Sequence, residues 1–130
     1  MAKEFSASWR KSKQRRKQRK YRENAPVHIK RAFLSARLTK ELSQKYGRRN
    51  FPVKKGDTIR ILRGSFKGKD GKVDRVDVKK GLISVSGIEI TKREGTKSFP
   101  KINPSNVIIK TLDIEDKRRA DSLKKIRGKK

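Results

Sequence analysis

With 130 residues, 41% charged and only 31% hydrophobic, the chain has too little apolar material for a large core; ordinary domains are roughly 45–50% apolar and about 25% charged. Its 40 Lys and Arg against 13 Asp and Glu give a formal charge of +27, a self-repulsion that a polyanion would relieve. No apolar run approaches a membrane span, no lipidation signal or apolar helix face points to a membrane surface, and no secretory signal follows the N-terminal charges. The lack of cysteine removes disulfides, cysteine-ligated zinc and thiol catalysis. What remains is one small domain with basic arms that order against a partner, and nucleic acid is the leading partner.

Residues 1–23 form a basic arm. Its run Arg10 to Arg22, RKSKQRRKQRKYR, contains no acidic residue. The bland reading is a solvated charge run or localisation signal; the functional one is an arm that folds along phosphates. On the second reading Arg10, Lys11, Lys13, Arg15, Arg16, Lys17, Arg19, Lys20 and Arg22 are the contacts. Gln14 and Gln18 permit helix once the charge is neutralised. Trp9 and Tyr21 flank the run, free either to stack on an unpaired base or to pack against the body.

Asn24-Ala25-Pro26 breaks the arm, and residues 24–50 are expected as a helical extension. A short helix from His28 to Leu34 places Ile29 and Phe33 at i and i+4. Thr39 is a plausible N-cap for a second helix from Lys40 to Tyr46, ended by Gly47. Leu38 and Leu42 would anchor these pieces on the core. His28, the lone histidine, reads as a surface or phosphate-side residue.

Residues 51–112 carry the β signal, with strands expected at about 57–63, 71–78, 81–90, 97–101 and 106–112. Ile59 and Ile61 alternate with Thr58 and Arg60, the period of a half-buried strand. The loop RGSFKGKDG follows, punctuated by Gly64, Gly68 and Gly71. The apolar parity breaks between Val73 and Val76, which predicts a bulge. Ile83 and Val85 share one face, and Gly87 resets the pattern so that Ile88 and Ile90 share the other. Five short strands in about 60 residues indicate a strongly bent small barrel. Residues 113–130 read as a helix capped by Asp113, with acids at its start and Lys124, Lys125 and Arg127 at its end. Ile114, Leu123 and Ile126 give it a thin apolar stripe, so it is expected to pack loosely or lie on a partner, with a frayed RGKK tail.

The stretch VKKGDTIRILRGSFKGKDGKVDRVD, residues 53–77, resembles the KOW motif of several ribosomal proteins and transcription elongation factors. The flanks PVHIKRAFLSARLTKELSQKYGRRNFPVKKGD and INPSNVIIKTLDIEDKRR resemble the large-subunit ribosomal protein L-twenty-four family in its archaeal and eukaryotic branch. The resemblance covers about residues 24–120, and the short spacing Gly68-Lys69-Asp70-Gly71 is more similar to archaeal members. The arm departs from the pattern, being longer and more basic. The resemblance implies a mainly β fold: an SH3-like five-stranded barrel with helical N- and C-terminal extensions. It further implies direct binding to large-subunit ribosomal RNA near its 5′ end, a part in initiating subunit assembly, and a position near the peptide exit tunnel. Neighbouring large-subunit ribosomal proteins would be further partners, in the cytoplasmic ribosome; no cofactor, membrane partner or self-association is expected.

Such a protein would clamp folded RNA by shape and backbone, because the deep groove of A-form RNA hides its bases. Arg60, Arg63, Ser65, Lys67, Lys69 and Lys72 are the expected contacts, supported by Lys54 and Lys55. Gly64 and Gly68 would let the backbone approach closely and lend N–H groups to an anion nest, or serve turn geometry alone. Phe66 reads as a hydrophobic plug beneath the loop. Asp70, Asp74 and Asp77 read as local charge balance rather than a magnesium site. With one histidine and no nucleophile–base arrangement, an enzyme is not expected. The rival is a KOW protein of transcription elongation or DNA packaging.

Overall fold

The computed structural model describes residues 5–6, 8–9 and 12–125. Its elements, in chain order, are α1 (Arg15–Asn24), α2 (Val27–Phe33), β1 (Ser35–Leu38), α3 (Lys40–Tyr46), β2 (Asn50–Pro52), β3 (Thr58–Ile61), β4 (Asp70–Asp77) and β5 (Leu82–Val85). There follow β6 (Ile90–Thr91), β7 (Lys97–Ser98), β8 (Lys101–Ile102), a 3₁₀ turn at Pro104–Asn106, β9 (Val107–Thr111) and α4 (Lys117–Lys124). Seven strands join in the order β2-β1-β9-β3-β4-β5-β8, and β6 pairs with β7 in a separate hairpin. The fold is thus mostly β, with an open hydrogen-bonded order in which β2 and β8 are the ends.

Alternation builds the core. Ile59 and Ile61 of β3, Ile83 and Val85 of β5, and Val107 and Ile109 of β9 are all buried, while Arg60 and Lys110 remain exposed. The anticipated bulge is present: β4 shifts register against β5 between Val73 and Arg75. Gly71 sits opposite Ile59, where a Cβ would strike Val85 and lie 2.8 Å from the Ser86 carbonyl oxygen. Only glycine lets β5 come this close.

Four expectations need correction. Residues 24–50 are not purely helical, because β1 adds a parallel partner to β9 (Arg37↔Ile108, Leu38↔Ile109). Buried Ala36 and Leu38 of β1 supply the apolar face that makes this pairing favourable. Residues 81–90 are not one strand: Gly87 takes φ +83° and turns the chain, so Ile88 is buried while Ile90 is 47% exposed.

The C-terminal helix begins at Lys117 rather than after Asp113, with the Asp116 side chain accepting from the Arg118 N–H at 3.0 Å. Asp113 instead closes a local turn, its Oδ1 accepting from the Glu115 N–H at 3.2 Å while its own N–H donates to Asp57 Oδ1 at 3.0 Å. Nor is α4 loosely packed. Leu123 is buried in the core, and Arg119 forms a bidentate pair with Asp57, both contacts 2.6 Å. The same Asp57 carboxylate accepts from the Lys54 N–H at 2.9 Å, and Arg119 also donates to the Asp113 and Pro52 carbonyls. One buried ion pair therefore ties the β2–β3 loop, the end of β9 and α4 together. The thin apolar stripe concealed this, because the anchor is polar. Ile126 and the RGKK tail lie outside the described residues.

Candidate nucleic-acid interface

The loop between β3 and β4 is closed at its base by reciprocal hydrogen bonds. Ile61 N–H donates to the Lys69 carbonyl at 3.0 Å, and Gly68 N–H donates to the Ile61 carbonyl at 2.7 Å. Inside it, Lys67 N–H donates to the Gly64 carbonyl and Lys69 N–H to the Phe66 carbonyl, two overlapping turns. Gly64 and Gly68 take φ +97° and +84°, the left-handed turn geometry that favours glycine at both positions. The Gly68 N–H is already paired, which removes it from the expected anion nest. Phe66 packs partly buried against the core, the plug expected, with the Lys69 Nζ 5.1 Å from its ring centroid.

With its backbone folded inward, the loop turns its cations outward. Arg63, Ser65, Lys67, Lys69 and Lys72 are all exposed. Arg60 is different. It is paired across the strands with Asp70 (Nε to Oδ1, 2.7 Å), and Lys110 reaches the other carboxylate oxygen at 2.8 Å. Hydrogen bonds from Arg60 and then Lys110 hold the Asp70 carboxyl at a pKa of about 2, and the same pair raises the Arg60 guanidinium above its ordinary value. Arg60 is therefore a partly neutralised cation, and Lys110 is a neighbour that strand spacing alone did not single out. Lys54 lies 3.7 Å from Asp116, whereas Lys55 is simply exposed.

Asp74 and Asp77 line one cleft of about 450 Å³, because the bulge breaks the alternation that would have separated them. Arg75, Lys97 and Lys101 line it too. The Asp77 carboxyl is held below the usual carboxylate range, chiefly by the Lys80 backbone N–H and also by Lys101. Asp77 balances Lys101, 3.7 Å away, while Asp74 lies exposed on the same cleft.

The arm carries the denser charge. Lys13, Arg15, Arg16, Lys17, Arg19, Lys20 and Arg22 are exposed on or just before α1. Arg10 and Lys11 lie outside the described residues. Aromatic contacts hold the helix: Tyr21 lies 6.1 Å from Phe33 between ring centroids, and the Arg22 guanidinium sits 5.5 Å over Phe33. Of the two residues flanking the run, Tyr21 packs on Phe33 of α2, while Trp9 packs on Tyr21 within the arm. His28 is exposed.

Sequence reasoning missed Asp57, Arg119 and Arg48. Arg48 donates to the Ser122 carbonyl at 2.6 Å and to the Lys125 carbonyl, capping α4 from 74 or more residues away in sequence. Only the Gly56-Asp57 pair, at a turn preceding a strand, hinted at a structural carboxylate.

The profile of the ribosomal-protein family that comprises the eukaryotic L26 proteins and their archaeal L24 counterparts matches residues 12–126. The chain belongs to this ribosomal-protein family. It is therefore a structural ribosomal protein and not an enzyme. The match reaches back to residue 12, so α1 falls inside the family's span rather than outside it, contrary to the expected boundary near residue 24. The chain is also similar to the large ribosomal subunit protein uL24 of Methanosarcina barkeri (strain Fusaro / DSM 804), with 50% identity over 114 residues, 88% of this chain and 98% of the relative.

Proposed function

We propose that this chain is a constituent of the large ribosomal subunit that binds its ribosomal RNA directly. The observation that carries the reading is the outward set Arg63, Lys67 and Lys69 on a loop braced by internal backbone hydrogen bonds, with Lys72 exposed beside it on β4. Such a loop presents cations at fixed positions, as recognition of an A-form backbone requires. Helix α1 and Lys55 extend the cationic surface, while Lys54 and Arg60 contribute through charges shared with acids. Family membership and the uL24 relative support the large subunit of the cytoplasmic ribosome as the setting.

The finer parts rest on the family resemblance. We place the contact near the 5′ end of the large-subunit RNA, with a part in early assembly and a position near the exit tunnel beside neighbouring ribosomal proteins. The strands β3, β4, β5, β8 and β9 form the proposed five-stranded SH3-like barrel of residues 51–112, between the arm 1–23 with its extension 24–50 and the C-terminal piece 113–130. Function in transcription elongation or DNA packaging is disfavoured, because the family match spans both flanks of the KOW segment.

Crosslinking in lysate followed by sequencing of the attached nucleic acid tests this. Crosslinks concentrated near the 5′ end of large-subunit RNA are expected. Crosslinks scattered over nascent transcripts or DNA would overturn the assignment.

A further inference from the structure

The aromatic cluster beside α1 is more than a tether. Lys17, Lys20, Tyr21 and Asn24 fall at i, i+3, i+4 and i+7, so one stripe of the helix presents two ammonium groups, a phenol ring and a carboxamide. Phe5 and Trp9 face that stripe, their ring centroids 4.8 and 5.5 Å from Tyr21. With Ser6 these residues line a cleft of about 310 Å³, at the lower end of the roughly 300–1,000 Å³ typical of small-ligand sites. An aromatic core would be buried. Here Phe5, Trp9 and Tyr21 are only half-buried and Phe33 is exposed, which leaves ring surface beside two lysines.

We infer that this cleft is a subsite for a single unpaired nucleotide of the bound RNA. The base stacks on the Trp9 ring, which is sequence-tolerant because every base has a π-face. Lys17 and Lys20 meet the flanking phosphates, and the Asn24 amide offers a donor and an acceptor to the base edge. A paired base cannot enter, since its faces are covered within the helix stack. The lysine pair favours a nucleotide over an apolar protein side chain, which would gain nothing from two ammonium groups. This subsite rests on the RNA-binding reading and adds to it a preference for bulged or looped RNA.

Trp9 is the only tryptophan, so its fluorescence reports on the cleft alone. The full-length protein is titrated with three hairpins: fully paired, carrying a one-nucleotide bulge, and carrying an abasic residue at that bulge. The base-bearing bulge should quench Trp9 and bind roughly tenfold more tightly than the abasic one, the size of one stacked base. Trp9→Leu should erase that preference, and Trp9→Phe should retain part of it. Equal affinity and equal quenching for all three hairpins would overturn the subsite while leaving RNA binding intact. A fluorescence change only on adding ribosomal proteins would assign the cleft to a protein partner instead. Failure of every hairpin to bind would remove the RNA-binding reading itself.

Discussion

The sheet and the arm solve opposite problems with the same residue types. In the sheet and the helix docked on it, acids hold cations in pairs: Arg119 with Asp57, Arg60 and Lys110 with Asp70, Lys101 with Asp77. Along α1 the cations outnumber a single acid, Glu23, and no side chain of the helix is buried. The sheet is therefore held by burial and paired charge, whereas the arm is a cationic rod fixed by ring contacts at one end. Stability and affinity should accordingly be separable, the first residing in the sheet and the second largely in the arm.

The hardest test of that division is Asp57→Ala. It strands Arg119 as a buried unpaired cation and removes the acceptor for two backbone N–H groups. Removing one partner of a buried pair costs about 3–5 kcal/mol. Urea unfolding should show a loss of this size, with α4 released. A loss below about 1 kcal/mol would mean that the pair does not lock the fold.

Deleting residues 1–22 should do the reverse. The unfolding midpoint should hardly move, while the salt dependence of RNA binding flattens by about 2.5–3 in log–log slope. That value assumes that roughly half of the seven described cations release about 0.7–0.9 counterions each. An unchanged slope, measured by filter binding across a salt series, would show the arm idle.

The same contrast explains what the sequence made legible. Strand alternation, the Val73–Val76 bulge, the Gly47 helix stop and the cationic loop are all local patterns, and each appears where expected. The parallel β1–β9 pairing and the Arg48 and Arg119 anchors join residues some 60 to 77 positions apart. Nothing in a window of ten residues distinguishes those arginines from the surface ones beside them. Their roles follow from the carbonyls and the carboxylate that the folded chain brings to them. The arm's helix is anchored by a further long-range contact, Tyr21 on Phe33, that its charge run did not reveal.

Within the loop, Gly68→Ala separates turn geometry from contact. Space for a Cβ is open there, so the cost is the left-handed φ of +84° alone, about 1–2 kcal/mol. RNA affinity of the folded protein should remain within a factor of about three, because the Gly68 N–H already serves the Ile61 carbonyl. A much larger loss in affinity at full folding, measured by calorimetry, would put phosphate against this backbone after all.

The smallest and most discriminating effect lies where the two regimes meet, at Asp70. Its carboxyl titrates at about 2 when folded, below the ordinary 3.8. A depressed carboxyl contributes stability that is complete above pH 4 and lost as pH falls through 2. Asp70→Asn should therefore unfold slightly more easily than the parent at pH 5, and the two should converge only below pH 2. At neutral pH the same substitution frees Arg60 and Lys110 from their shared acid. If both then reach phosphate, the salt slope of RNA binding rises by roughly 1.4–1.8. A raised slope would make Asp70 a brake on the loop's charge. An unchanged slope would place this face of β3 and β9 away from the RNA and confine recognition to the loop tip and the arm.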